Sequence, residues 1–188
     1  MTSDQVVVIT GPIGSGKSYI AGLFQRRGWQ AVDADEIGHD VLQEEGVISE
    51  IQRRWPSAVI NSIVDRKYLA DLVFAEASQL AELESLTHPR IQQRITEWIA
   101  STVGKKVVEV SVLSAIIDGW GPRVVVDASR ATREARLLDR GMTIEGIVSR
   151  MGNQPERHEW LAKADAVIEN GSPGTRAVNL LINHLESR

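Results

Sequence analysis

The sequence predicts an α/β fold, a five-stranded parallel sheet flanked by helices, and two observations carry that expectation. Five short apolar runs of strand character, at residues 5–10, 30–35, 105–113, 123–129 and 165–170, alternate with segments of helical period. Strands joined through helices pair in parallel and need cover on both faces. The first run also leads straight into GPIGSGKS, residues 11–18, which carries the G-x-x-x-x-G-K-[ST] pattern. Apolar residues at helical spacing follow it, Ile20, Ala21, Leu23 and Phe24, so strand, glycine-rich turn and helix come in the order that a phosphate-binding loop requires.

The remaining elements can be justified in chain order. The first helix covers residues 19–27, with Gly28 as its C-cap, and the second strand, 30–35, ends in the carboxylates Asp33 and Asp35. Residues 36–103 carry helical periods and no convincing strand. Within them, Asp65 is placed to cap a helix bearing Leu69, Leu72 and Val73, and THPRIQQRITEWIA reads as a helix entered through Pro89 in its first turn. Strands at 105–113 and 123–129 come next, then a helix over 131–140 and a polar, glycine-punctuated helical excursion to residue 164. A last strand at 165–170, an NGSPG turn and a helix over 176–186 complete the chain, which holds no internal repeat.

Composition narrows the function. A chain of 188 residues fits one domain with room for an inserted helical subdomain, and a 43% hydrophobic content argues against disorder. We expect the core to be 1–35, 104–140 and 164–188, a helical substrate subdomain about 36–103, and a lid about 141–163. There are no cysteines, hence no disulfides and no thiolate chemistry. No run approaches the roughly 18 apolar residues of a membrane span, and MTSDQ lacks the basic start of a secretory signal, so a soluble cytoplasmic protein without membrane association is expected. The net charge of −4 speaks against a nucleic-acid partner. Basic residues are nevertheless uneven, with seven arginines and no lysine between Arg123 and Arg157.

The chemistry is written mainly in the glycine-rich loop. Its backbone can curl N–H groups around phosphates, the helix that follows adds the positive end of its dipole, and Lys17 can reach the β- and γ-phosphates. We assign ATP binding to Gly11, Pro12, Ile13, Gly14, Ser15, Gly16, Lys17, Ser18 and the adjoining Tyr19, with Ser18 as a ligand of Mg²⁺. Ligands in parallel sheets lie beyond the carboxyl ends of the strands, where Thr10, Asp33, Asp35, Glu109 and Asp127 are all expected. Phosphoryl transfer also needs positive charge that closes over the phosphates while excluding water. Arg133, Arg136 and Arg140 share a helical face by spacing; Arg133 reads as a solvated surface charge and Arg140, beside the hinge-like Gly141, as functional. No NKxD-like guanine reader is present.

GPIGSGKS, FQRRGWQAVDADEIG, VDRKYLADLVF, LTHPRI and NQPERHEWLAKADAVIENG, in that order and spacing, resemble the dephospho-CoA kinase family over nearly the whole chain. The resemblance implies a P-loop kinase fold with core, helical substrate subdomain and lid, and transfer of the ATP γ-phosphate to the ribose 3′-hydroxyl of dephospho-CoA. It further implies Asp35 as catalytic base, with Lys17 and Arg140 as the other catalytic groups, and Asn170 and Gly171 in the loop near the adenine. His88 and Arg157 join Asp35 on the acceptor side.

Departures from the family pattern bear on the acceptor. Where the family carries D-x-P-L-L-x-E, this chain has EVSVLSA, so that Glu109, Ser111 and Ala115 replace Asp, Pro and Glu. His39 stands where the family tends to carry Arg, and Pro12 replaces a glycine of the loop. A P-loop kinase with another nucleoside or nucleotide acceptor is therefore an alternative, and a catalytically weak ATP-binding paralogue another. Retention of Lys17, Ser18, Asp35 and Arg140 together argues against the latter.

Overall fold

A computed structural model describes residues 5–112, 117–171 and 176–186. In chain order the elements are β1 (Val6–Thr10), α1 (Lys17–Arg26), β2 (Gln30–Asp33), α2 (Ala34–Val41), α3 (Glu45–Arg54), β3 (Val59–Ile60), β4 (Ile63–Val64), α4 (Arg66–Val73) and α5 (Ala77–Ser101). They continue with β5 (Lys106–Glu109), β6 (Arg123–Asp127), α6 (Arg130–Asp139), α7 (Ile144–Gly152), α8 (Arg157–Ala162), β7 (Ala166–Glu169) and α9 (Arg176–Glu186). The chain divides into two compact units, residues 1–33 with 99–188, and residues 34–98. Among the described residues no helix is long and apolar enough to cross a membrane.

In the first unit the five expected strands form one sheet of order β2-β5-β1-β6-β7, with every neighbouring pair parallel. β1 lies at its centre, and Val7, Val8 and Ile9 are all essentially inaccessible, so both faces of the strand are covered. Val7, Ile9, Val107, Val124 and Val126 pack with Ile20 and Phe24 of α1 and with Val178 and Ile182 of α9. Burying a side chain of this size stabilises the fold by roughly 1.5–3 kcal/mol.

The end of α1 shows how local sequence sets this packing. Gly28 takes φ +83°, its N–H bonds to Gln25 O at 2.9 Å, and the next N–H, of Trp29, bonds to Phe24 O at 3.2 Å. That pair of bonds closes a helix when the residue after the cap adopts the left-handed conformation, which glycine takes without steric cost. The turn also sets Trp29 edge-on against Phe24, with ring centroids 5.0 Å apart.

The second unit has its own core, in which Val41, Val47, Ile51, Trp55, Val64, Leu69 and Val73 are buried together. Asp65 caps α4 as expected, its Oδ1 accepting from Tyr68 N at 3.0 Å. Several expectations are corrected. The second strand ends at Asp33 rather than residue 35: Asp35 and Glu36 occupy the first turn of α2, where the helix dipole favours acidic groups. Residues 36–103 do contain strand, the short antiparallel pair β3 and β4, closed by Asn61 and Ser62 in positive φ. Pro89 does not open a helix but sits inside α5. The missing N–H leaves Ser85 O without its helical donor, and both residues are exposed, so water can serve that carbonyl. Strand ends were also overestimated elsewhere, with β5 closing at Glu109 and β6 at Asp127.

Candidate active site

Residues 11–16 join the central strand β1 to α1. Gly16, the N-cap of α1, takes φ +94°, and no side chain caps the helix there. A Cβ on Gly16 would lie 2.3 Å from Asn170 Nδ2, so conformation and space both demand glycine. The uncapped N–H groups of the first turn, together with the dipole, make this end of α1 a site for an anion.

Cations and amides grip the loop from outside. Arg136 donates from Nη1 to Gly14 O at 3.3 Å and Ser15 O at 3.0 Å, and from Nη2 to Asn170 O at 2.6 Å. Asn170 Nδ2 donates to Ser15 O at 2.8 Å, while its backbone N–H bonds to Asp127 O at 2.7 Å. Arg133 reaches Ile13 O from Nη1 at 3.5 Å. In a planar trans peptide the carbonyl and the following N–H point in opposite directions. Holding the carbonyls of Ile13 and Ser15 on the outer side therefore turns the N–H groups of Gly14 and Gly16 the other way.

Inside the loop, Lys17 is buried and its Nζ donates to Gly11 O at 3.0 Å. Ser18 is exposed, and its Oγ donates to Glu109 Oε1 at 2.7 Å. Glu109 ends β5 in register with Ile9 on one side and Asp33 on the other. An ammonium, a hydroxyl and a carboxylate thus converge where β1 and β5 reach their carboxyl ends. Thr10 Oγ1 ties the chain after β5 to β1 through Val112 O at 3.1 Å. Of the EVSVLSA segment, residues 113–115 lie outside the described residues, as do 172–174 of the NGSPG turn.

Two further arms come from the segment between α7 and β7. Gln154 Oε1 accepts from Ile13 N at 2.8 Å. Arg157 donates from Nε at 2.9 Å, and its Nη2 lies 2.7 Å from the same oxygen, Asp127 Oδ2. An open cleft of about 490 Å³ lies between them, lined in part by Ser129, Arg130, Arg133, Gln154 and Arg157.

Of the sequence-derived candidates, the structure gathers Gly11, Pro12, Ile13, Gly14, Ser15, Gly16, Lys17, Ser18 and Asn170 in one place. Tyr19 is exposed on the first turn of α1, Gly171 is exposed after β7, and Arg140 is exposed at the C-cap of α6. Asp35 and His88 belong to the second unit, the first exposed on the opening turn of α2, the second half-buried inside α5 rather than ahead of a helix. Arg133 is corrected: it is not a solvated surface charge but is half-buried against the loop. Burial holds its guanidinium below the ordinary value, with Asp127 pulling the other way. Sequence reasoning placed Arg136 on a face with Arg133 and Arg140 without giving it a role, and passed over Gln154 and the Ser18 to Glu109 bond. The signals were present, since Arg136 follows Arg133 at helical spacing and Gln154 lies three residues before Arg157 in the NQPERHEWLAKADAVIENG stretch.

A central parallel strand running into a lysine-bearing, amide-lined loop, with a hydroxyl and a carboxylate at its side, defines a P-loop protein of the nucleotide-dependent kinase class. Residues 5–174 match the dephospho-CoA kinase family. The dephospho-CoA kinase of Deinococcus radiodurans is 33% identical over 172 residues, covering 88% of this chain and 83% of that one. That of Dehalococcoides mccartyi is 33% identical over 175 residues, covering 88% of each. A crystal structure of a Thermus thermophilus protein superposes with a TM-score of 0.81 at 26% identity, covering 97% of this chain and 96% of that one. A dephospho-CoA kinase from Campylobacter jejuni, 22% identical with 97% of each chain covered, shares the fold at a TM-score of 0.71. The chain belongs to the dephospho-CoA kinase family.

Proposed function

We propose that this protein moves the γ-phosphoryl group of ATP to the ribose 3′-hydroxyl of dephospho-CoA, forming CoA and ADP. The observation that carries the reading is the convergence of Lys17, Ser18 and Glu109 at the carboxyl ends of β1 and β5, in a chain of this family. Phosphoryl transfer through a loose transition state needs positioning and charge neutralisation more than covalent help. The loop amides and Lys17 hold the phosphates, and Tyr19, Asn170 and Gly171 border the nucleotide. Arg140, exposed at the edge of the 141–163 lid, adds positive charge as negative charge spreads over the transferred group.

Asp35 takes the role of base. It follows β2 by two residues, orients the acceptor hydroxyl and accepts its proton as the oxygen bonds to phosphorus and the bond to the β-phosphate oxygen breaks. His88 serves the acceptor subdomain. Arg157, engaged with the buried Asp127, fits an anchor of the lid better than a direct substrate contact.

Ser18 and Glu109 fit Mg²⁺: a hydroxyl and a carboxylate are hard oxygen donors, and 2.7 Å between them leaves Glu109 placed to orient water beside Ser18. The ion when bound would neutralise phosphate charge. Asp33, in register with Glu109, is near enough along the sheet to support the same water shell. A cytoplasmic setting suits a cysteine-free chain with small-molecule substrates.

A second reading is motivated by Glu109 to Ala115, where the chain departs from the family: the same chemistry on another nucleoside or nucleotide. Initial rates with ATP and a panel of acceptors separate the two. The first reading predicts kcat/KM for dephospho-CoA well above that for adenosine or AMP. Equal or reversed preference would transfer the assignment to the second.

A further inference from the structure

Gln154 lies far from the phosphate loop in sequence and outside every role discussed above, yet its side chain takes the N–H of Ile13, the third residue of that loop. The geometry around it is built rather than incidental. Pro155 restricts Gln154 to extended backbone and has its own φ set by the ring. Trp160, 1% exposed, donates its indole N–H to Pro155 O at 3.1 Å, so the proline is tied to the core. Glu156 then starts α8 with a reciprocal capping box to Glu159, one half of which is the Glu156 N–H to Glu159 Oε2 bond at 2.7 Å. One residue further on, Arg157 is fastened to Asp127. Residues 154–157 therefore form a strap held at the proline, at the helix start and at Asp127, with Gln154 Oε1 presented to the loop.

The loop meets this arm at a residue whose backbone N–H and carbonyl are both taken. Arg133 sits on Ile13 O and Gln154 on Ile13 N–H. Gly14 and Ser15 are held through their carbonyls by Arg136, whereas Ile13 is the loop residue whose N–H is fixed from the 141–163 segment. We propose that Gln154 is a positioning residue for the phosphoryl donor: by fixing Ile13 it keeps the preceding half of the loop in the shape that receives phosphate. The strap so couples the lid segment to nucleotide affinity. The proposal rests on the phosphoryl-transfer reading for its ligand, but not on the identity of the acceptor.

The test is nucleotide binding without acceptor. Gln154→Met keeps the length of the side chain and removes its acceptor oxygen. ATP and adenosine are titrated by calorimetry against parent and variant, and both proteins are melted. The site borders an open cleft, so water can serve the freed N–H and folding should survive. We expect ATP to bind about 3- to 10-fold more weakly, the range for one neutral hydrogen bond, with adenosine binding and Tm unchanged. Trp160→Phe, which keeps a ring in the core and removes the indole N–H, should weaken ATP in the same direction and be less than additive with Gln154→Met. ATP affinity equal to the parent would overturn the proposal. Tighter ATP binding would also overturn it, identifying Gln154 as a competitor of phosphate. A lowered Tm with equal proportional losses for ATP and adenosine would reduce Gln154 to a packing residue. If the parent binds ATP but phosphorylates a different acceptor, only the acceptor assignment falls; if it binds no ATP, both fall.

Discussion

On the proposed function Lys17 holds phosphate and Asp35 accepts the proton, and substitution separates the two roles. Lys17→Ala removes a charge-assisted contact, so ATP should bind roughly 10- to 100-fold more weakly and turnover should fall with it. Asp35→Asn keeps shape and removes the proton acceptor: ATP affinity should stay within about twofold of the parent while kcat falls by about 10² to 10⁴. Calorimetry and steady-state rates on the two variants read these effects directly. An Asp35→Asn enzyme with parental kcat would remove Asp35 from the base role. At this scale the sequence was most legible where chemistry forces residue identity. The lysine, the hydroxyl and the glycines can be recognised because a phosphate cradle tolerates few replacements. Arg136 and Gln154 were not, because an arginine that grips carbonyls and a glutamine that grips an N–H look like any surface polar residue until the chain brings them to residues 13–15.

Elements whose ends are set by local chemistry were equally legible. Gly28 closes α1 through its positive φ, and no neighbour lies within 4 Å of the position a Cβ would take. Gly28→Ala should therefore cost only the backbone term, about 1–2 kcal/mol, lowering Tm by roughly 2–8 °C in a thermal melt without changing ATP affinity. The last described helix, α9, is fastened differently. Glu186 accepts from Arg27 Nη2 at 3.0 Å and Trp29 Nε1 at 3.3 Å, with Lys105 Nζ 3.7 Å away. Burial pushes its carboxyl up, but these donors and charges outweigh burial and hold it below the ordinary value of 4.5. A depressed carboxylate contributes stability that is complete above the unfolded value and lost as pH falls toward the folded one. The Tm of the parent should thus drop more steeply below about pH 4.5 than that of Glu186→Gln, and parallel acid limbs would rule the contribution out. The α2 start and Pro89 escaped sequence reading for a shared reason. An Asp-Ala-Asp run suits a strand end and a helix start alike, and a proline suits a first turn until packing on both sides extends the helix through it.

The whole molecule places a phosphate loop at the centre of a parallel sheet and gives residues 34–98 a core of their own. The order β2-β5-β1-β6-β7 follows from no single residue; five apolar runs and right-handed crossovers leave few alternatives, of which the chain adopts one. The N–H groups of Gly14 and Gly16 turn away from Arg133, Arg136 and Asn170, which hold the carbonyls of Ile13 and Ser15 from segments distant in sequence. On the proposed function, affinity for ATP is set within the first unit, and the departures at Glu109 to Ala115 bear on the choice of acceptor. The most direct test is to incubate the purified protein with ATP and Mg²⁺, with and without dephospho-CoA, and to identify the product by mass. The account predicts CoA, one phosphate heavier than the acceptor, formed in step with ADP and only when dephospho-CoA is present. ATP bound without any phosphorylated acceptor, or ADP released at the same rate whether or not dephospho-CoA is added, would contradict it.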